Sequence, residues 1–318
     1  MVHRRNLLDC RVFPHNYSTI ATGGASPRQQ NRKKKNMFDL IHNAQTQAYD
    51  ELSLQEIAAL APAELTPTQS FNVSSRYEYI NSLDIIDNMA QHGFYVTGAK
   101  QRKSRKRSQV PFAAHMLTFT QRGFYDGEAP QIVIINSHDG KQSAHAYAGC
   151  LRFICSNLMI STDGPAYRMR HAGQNMAESF ADMLDATAAR LPEMVQEIDA
   201  MKCATISTSD RKSFQRDAVK MRWKLESERK EENGAFATLE TIAALNTVRR
   251  DGDAGQSVWE ILNKAQECLI QSGQMNLPLV SFSKKYPNGK TRKAKSVTAF
   301  KSSIDLNGKL WARALELV

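Results

Sequence analysis

The stretches "FAAHMLTFT" (residues 112–120) and "QIVIINSHDGKQSAHAYA" (residues 131–148) constrain the fold most. In the first, His115, Leu117 and Phe119 stand two residues apart and share one face of a strand. The second opens with a continuously apolar run, as a strand covered on both faces requires, and places it centrally in a sheet. Asp139-Gly140 is a hairpin dipeptide: a short side chain that bonds its own backbone, then a residue free to adopt positive φ. A chain with these runs in this order must build an antiparallel sheet.

The flanking segments extend that sheet. "RYEYI" (76–80) alternates polar and aromatic residues and predicts a strand. Asn81 or Ser82 caps a helix over "LDIIDNMAQH" with Gly93 at its C-terminal boundary, and "FYVTGAK" predicts a further strand. Upstream, "SLQE" (53–56) is a capping box that opens a short helix closed by Pro62. Downstream of Arg170 the periodicity becomes helical, with Pro192 breaking "NMAESFADMLDATAARL" from "PEMVQEIDAMK". The segments "SDRKSFQRDAVKMRWKLESERKEE", "FATLETIAALNTV", "SVWEILNKAQECLIQSG" and "SSIDLNGKLWARALELV" continue the helices. The fold class expected is α+β, an antiparallel sheet with a packed helix in the N-terminal half and a mostly helical C-terminal half. The divisions are a disordered basic arm over 1–36, short helices and linker over 37–70, the sheet domain over 71–172, and a helical region over 173–318 with a basic loop at 284–301.

Charge supplies the functional expectation. Net charge is +10, yet residues 1–35 carry +7, residues 100–107 ("KQRKSRKR") +6 and residues 284–301 another +7. The rest of the chain is therefore acidic. Cations segregated onto connecting segments over an acidic body face polyanions, because neutralising phosphates releases condensed counterions. The phosphate-holding residues expected are Lys100, Arg102, Lys103, Arg105, Lys106 and Arg107, aided by Lys290, Arg292, Lys293 and Lys295. Nearby Tyr95, Phe112, Phe119 and Phe124 are candidate base stackers. The partner expected is a nucleic acid, DNA before RNA, bound without sequence preference, with single-strand binding or annealing the mode this combination of cations and aromatics suits. No helix-turn-helix, zinc finger or P-loop is present, and no cofactor motif.

A second group has an open role: His115, Asn136, Ser137, His138, Asp139, Gly140, Arg152, Asn157 and His171. As architecture, Asn136 and Asp139 bond nearby amides, Gly140 takes positive φ and His138 serves the turn. As chemistry, His138, Asp139 and His145 with His115 or His171 would ligate a metal for hydrolysis, or Cys155 would pair with His115 or His138 as a nucleophile. No H-x-H, H-E-x-x-H or paired-carboxylate spacing supports the chemical reading, so no catalytic residue and no metal is assigned. A metal-dependent nuclease and a protein-interaction module acting on a host complex remain the alternatives to nucleic-acid binding.

Five scattered cysteines without a C-x-x-C pair read as reduced thiols. No run approaches the roughly 18 apolar residues of a membrane span, and the N-terminus lacks an apolar signal core, so a cytoplasmic protein without membrane contact is expected. The helical half could assemble a homo-oligomer.

The order "RYEYI", "AAHML", "IVIINSHDG", "GCLRFICSN", "RHAGQN", a late W-x-x-x-N-x-x-Q-E helix and "LNGKLWARAL" resembles the phage/plasmid-like protein family of unknown function found on bacterial mobile elements. The resemblance spans roughly residues 50–318. Asn81 stands where that family usually has Pro, and Leu158 where it usually has Gly. It implies a prokaryotic or phage setting and no particular reaction.

Overall fold

The computed structural model describes residues 50–122, 128–152, 158–160, 167–171, 176–230 and 233–318. The expected basic arm over 1–36 and a helix from Met37 lie outside them.

Ser53 caps helix α1 (Leu54–Leu60) by the reciprocal Ser53–Glu56 box, and Pro62 starts a 3-10 turn to Leu65. Asn81 accepts from Leu83 N to open α2 (Ser82–Gln91), and Gly93 leaves it at φ +80. The chain then runs through β1 (Phe94–Gln101), β2 (His115–Gln121), β3 (Glu128–Asn136) and β4 (Ala144–Arg152), each antiparallel to the last. Short β5 (Leu158–Ile160) and β6 (Tyr167–Met169) pair with successive parts of β4. As the apolar run requires, β3 is central.

Both faces of β3 are buried. Leu117, Phe119, Ile132, Ile134, Ala146, Ala148 and Cys150 point into the main core, where α3 (Met176–Ala189) and α4 (Leu191–Cys203) contribute Phe180, Met183, Met194 and Ile198. Val133 and Ile135 point the other way, against Phe300 and Ile304 of the terminal helix α8 (Phe300–Leu315). The later elements are α5 (Thr208–Lys220), β7 (Lys224–Leu225), β8 (Gly234–Ala237), α6 (Leu239–Ala244), α7 (Val258–Ile270), β9 (Pro278–Ser283) and β10 (Tyr286–Lys293). Helix α7 is buried along most of its length; Trp259 meets Trp311 of α8 edge to face at 5.9 Å, and their indole N–H groups donate to Glu128 and Glu197. The main apolar core thus runs from Ile57 to Ala314, and the described residues fall within one compact unit.

The α+β class holds, and four local expectations are corrected. "RYEYI" is not a strand: Tyr77 and Tyr79 bond the carbonyls of Ser137 and Thr66, and Glu78 N donates to His171 O. Its alternation reflects rings set against histidines, not a ladder. The basic loop at 284–301 contains strand β10, the edge of a second sheet ordered β10-β9-β8-β7. Pro287, Asn288 and Gly289 disguised it as a turn, yet proline and lysine suit an unpaired edge. Helix α5 stops at Lys220, and "FATLETIAALNTV" splits into β8 and α6 at the Thr238 cap. Finally, Cys203 is disulfide-bonded, whereas Cys268 is a free thiol; pairing depends on what the fold brings together, which spacing does not reveal.

Candidate nucleic-acid interface

The turn after β3 is built by its own side chains. Ser137 N donates to Asn136 Oδ1 at 2.8 Å, Ser137 Oγ bridges Gln142, and Asp139 Oδ1 accepts Lys141 N at 3.1 Å. Gly140 stands at φ +70 with Val73 Cγ1 only 3.1 Å from where a Cβ would lie. Asn136 and Asp139 thus bond nearby amides and Gly140 takes positive φ, the contacts that the architectural reading expects. His138 does more than serve the turn. It is fully buried; its backbone N–H donates to Phe112 O, its carbonyl accepts Ser70 N, and its Nε2 donates to Ala63 O at 3.1 Å. It pins the N-terminal linker and the β1–β2 connection to the sheet.

Around His138 lies a polar cluster. His115, across from Asn136 in the β2–β3 ladder, holds its ring 4.6 Å from that of His138; Tyr79 lies 4.8 Å from His138, and His171 stacks on Tyr77 at 4.6 Å. Glu64 is buried beneath, accepting Ser82 Oγ at 2.6 Å, with its Oε2 3.7 Å from His115 Nε2. Backbone carbonyls only accept, so His115 and His171 carry their protons on Nδ1, toward Ala113 O and Glu78 O. Burial pushes Glu64 up to about 8 and His115 and His138 down to about 4 and about 3; it lowers His171 as well. The close Glu64–His115 contact suggests an ion pair, but desolvation drives both partners toward their neutral forms and 3.7 Å is too long for a hydrogen bond, so the cluster is uncharged at neutral pH. Asp139 pairs with Lys141 and Arg102 at its edge, and its charge opposes part of the downward push on His115 and His138. Among the described residues, no three His, Cys, Asp or Glu side chains are placed to hold a metal ion, so the ligand set imagined around His138, Asp139 and His145 is not assembled.

Over this buried cluster sits a surface pocket of about 390 Å³ lined by Asn72, Arg102, Ser104, Arg105, Lys106, Gln109, Ala113, Asp139 and Lys141. Its rim is the β1–β2 connection. Gln101 accepts from Ala63 N and donates to Val110 O, Arg102 N donates to Ala114 O, and residues Arg107–Phe112 form a 3-10 turn. Four cations and one carboxylate line the pocket. Asp139, whose side chain is 5% exposed, lies 3.2 Å from Lys141 Nζ and 3.8 Å from Arg102 Nη2. Lys103, Arg105, Lys106 and Arg107 are exposed, with no carboxylate among the described residues within 4.0 Å. Lys100, on the opposite face, lies over the Phe300 ring at 5.7 Å and does not join them.

The second basic set stands apart. Lys290, Arg292, Lys293 and Lys295 are exposed along and beyond β10; Lys290 covers the Tyr286 ring at 4.9 Å, and Arg292 bonds Ser281. No bond among the described residues joins them to the 102–107 segment. Arg152 ends β4, and Asn157 lies outside the described residues, as does Phe124. Of the expected stackers, Phe119 is fully buried in the core, Phe112 is half-buried, and the Tyr95 ring is covered by Arg122 at 4.8 Å. Sequence reasoning missed Glu64, Asn72, Gln109 and Lys141. Glu64 follows Pro62, in what reads as a linker, and nothing local marked it as buried.

A family model described as "Domain of unknown function (DUF932)" matches residues 71–311. The chain belongs to this family. Its match takes in the sheet, the His138 turn, the pocket and both basic segments. This DUF932 chain is 22% identical over 269 residues to the UPF0380 protein YafZ of Escherichia coli (strain K12), and 23% identical over 270 residues to the UPF0380 protein YfjQ of the same organism. Each alignment covers 84% of this chain and 92% of the relative. No solved structure matches. Among the described residues, no helix is long and apolar enough to cross a membrane.

Proposed function

We propose that this chain is a non-enzymatic nucleic-acid-binding protein of phage or plasmid origin, acting in the cytoplasm. The observation that carries the reading is the pocket beside the His138 turn, lined by Arg102, Arg105, Lys106 and Lys141 with Asp139 as its single carboxylate. Ser104, Gln109 and Asn72 add hydrogen-bonding groups suited to phosphate and sugar oxygens, contacts that position a strand without reading its sequence. The uncharged cluster beneath gives the cations a stiff floor and no competing negative charge. The β9–β10 hairpin, with Lys290, Arg292 and Lys293 on an exposed edge, supplies a second and weaker electrostatic attraction.

Fluorescence anisotropy of a labelled oligonucleotide at about 50 and about 200 mM salt tests this. Wild type should bind and weaken steeply with salt, and R105A/K106A/R107A should lose about tenfold or more in affinity with a shallower salt slope. Equal binding by the two proteins, or no binding by wild type, removes the proposal.

A further inference from the structure

Phe71 is the most exposed large apolar side chain among the described residues, at 81%. An apolar residue at a loop tip is ordinary by itself; the place of this one is not. It sits in a turn in which Val73 N donates to Ser70 O and Asn72 N to Ser70 Oγ. That turn is fastened to the His138 turn from two sides, since buried Ser70 donates its N–H to His138 O and Val73 packs over Gly140. The next residue, Asn72, lines the cationic pocket. A rigid turn thus presents a bare benzyl ring to solvent one residue from a cluster of four cations.

This combination is what single-stranded nucleic acid uses. Its phosphates need a cationic track, and its unpaired bases offer flat faces that stack on an aromatic ring whatever their identity. In a duplex those faces are already stacked on one another. Holding the turn in advance reduces the ordering cost of docking. We propose that Phe71 is the base-stacking residue of the pocket, which makes the ligand single-stranded, with Arg105, Lys106 and Lys141 holding the adjoining phosphates. The proposal rests on the nucleic-acid reading above and adds to it the strandedness and the residue that sets it.

The test is anisotropy with labelled oligothymidylate and with a fully paired hairpin duplex, on wild type, F71A, F71W and R105A/K106A. Wild type should prefer oligothymidylate. F71A should weaken that binding by about fivefold or more with an unchanged salt slope and leave duplex binding as it was, whereas F71W retains wild-type affinity. R105A/K106A should instead weaken both ligands and flatten the slope. Unchanged oligothymidylate binding by F71A, equal losses on both ligands, or no rescue by F71W would overturn the stacking role while leaving the cationic interface standing. Failure of wild type to bind either probe would instead overturn the nucleic-acid reading itself.

Discussion

Two stretches of this chain carry similar positive charge, and the fold uses them differently. Residues 102–107 are wrapped over a buried anchor: Gln101, Phe112 and His138 tie the β1–β2 connection to the sheet, so its cations gather with Lys141 around one concavity. Residues 284–295 lie along the outer edge of a four-stranded sheet, where Lys285 and Lys290 flank the half-buried Tyr286 ring and Arg292 reaches Ser281. Similar charge in sequence therefore becomes a shaped site in one region and a protected edge strand in the other. What separates them is the uncharged, fully buried layer beneath the first.

The largest way to break this contrast is to remove the anchor. H138A removes the side-chain donor to the Ala63 carbonyl, which keeps only the Thr66 N–H, and opens a cavity; it should cost about 3 kcal/mol by chemical denaturation. Y286A, on the exposed hairpin, should cost about 1 kcal/mol. Near-equal losses would show that the His138 layer has no special standing.

Next comes pH. The folded chain holds His115 at about 4 and His138 at about 3, below the 6.5 of a free imidazole. The unfolded chain therefore binds protons first, and the stability these rings contribute is present above about 6.5 and lost as pH falls through about 4 to 3. Glu64 works in the other direction. Its folded value of about 8 lies above its ordinary 4.5, so its contribution is present below 4.5 and lost as pH rises through 8. Stability measured across pH should peak near 6.5 and fall on both sides by a few kcal/mol at most, and E64Q should remove the alkaline fall. A profile flat from pH 4 to 8 contradicts the buried cluster.

Glycine substitutions sharpen the comparison. At Gly289, φ +85 and a Cβ position 2.6 Å from Val280 Cγ1 predict about 2 kcal/mol lost in G289A, with oligonucleotide binding nearly unchanged. At Gly140, φ +70 and the milder 3.1 Å approach to Val73 predict about 1 kcal/mol in G140A, yet with weakened binding, because the pocket floor shifts. Stability and binding should thus part company in opposite senses at the two turns. The smallest effect is a gain: D139N removes the one carboxylate of the pocket and should raise oligonucleotide affinity about threefold, an increment below about 1 kcal/mol.

Local signals carried much of this architecture. Ser53, Asn81 and Gly93 act at helix boundaries, Pro192 opens α4, and Asp139-Gly140 turns the chain, because each needs only its neighbours. The central position of β3 followed from its unbroken apolar run. The second sheet was hidden because β7 and β8 are short, and because β10 mixes a proline, a glycine and cations that read as loop. The site was half legible. Arg102, Arg105, Lys106, His138 and Asp139 stood out as motif residues, but their union in one place depends on contacts spanning the sequence from Ala63 to His171, which no local pattern encodes. Glu64 and Phe71 escaped for the same reason: burial of one and exposure of the other are tertiary facts.

The account stands most directly on one titration, comparing R105A/K106A/R107A with K290A/R292A/K293A for oligothymidylate at about 50 and about 200 mM salt. Both remove three positive charges, so bulk attraction falls alike. If the pocket is the interface, the first variant loses about tenfold or more and flattens the salt slope by about 2, while the second loses less than about threefold. Equal losses, or a larger loss in the hairpin variant, would show that total charge and not the site beside His138 holds the ligand.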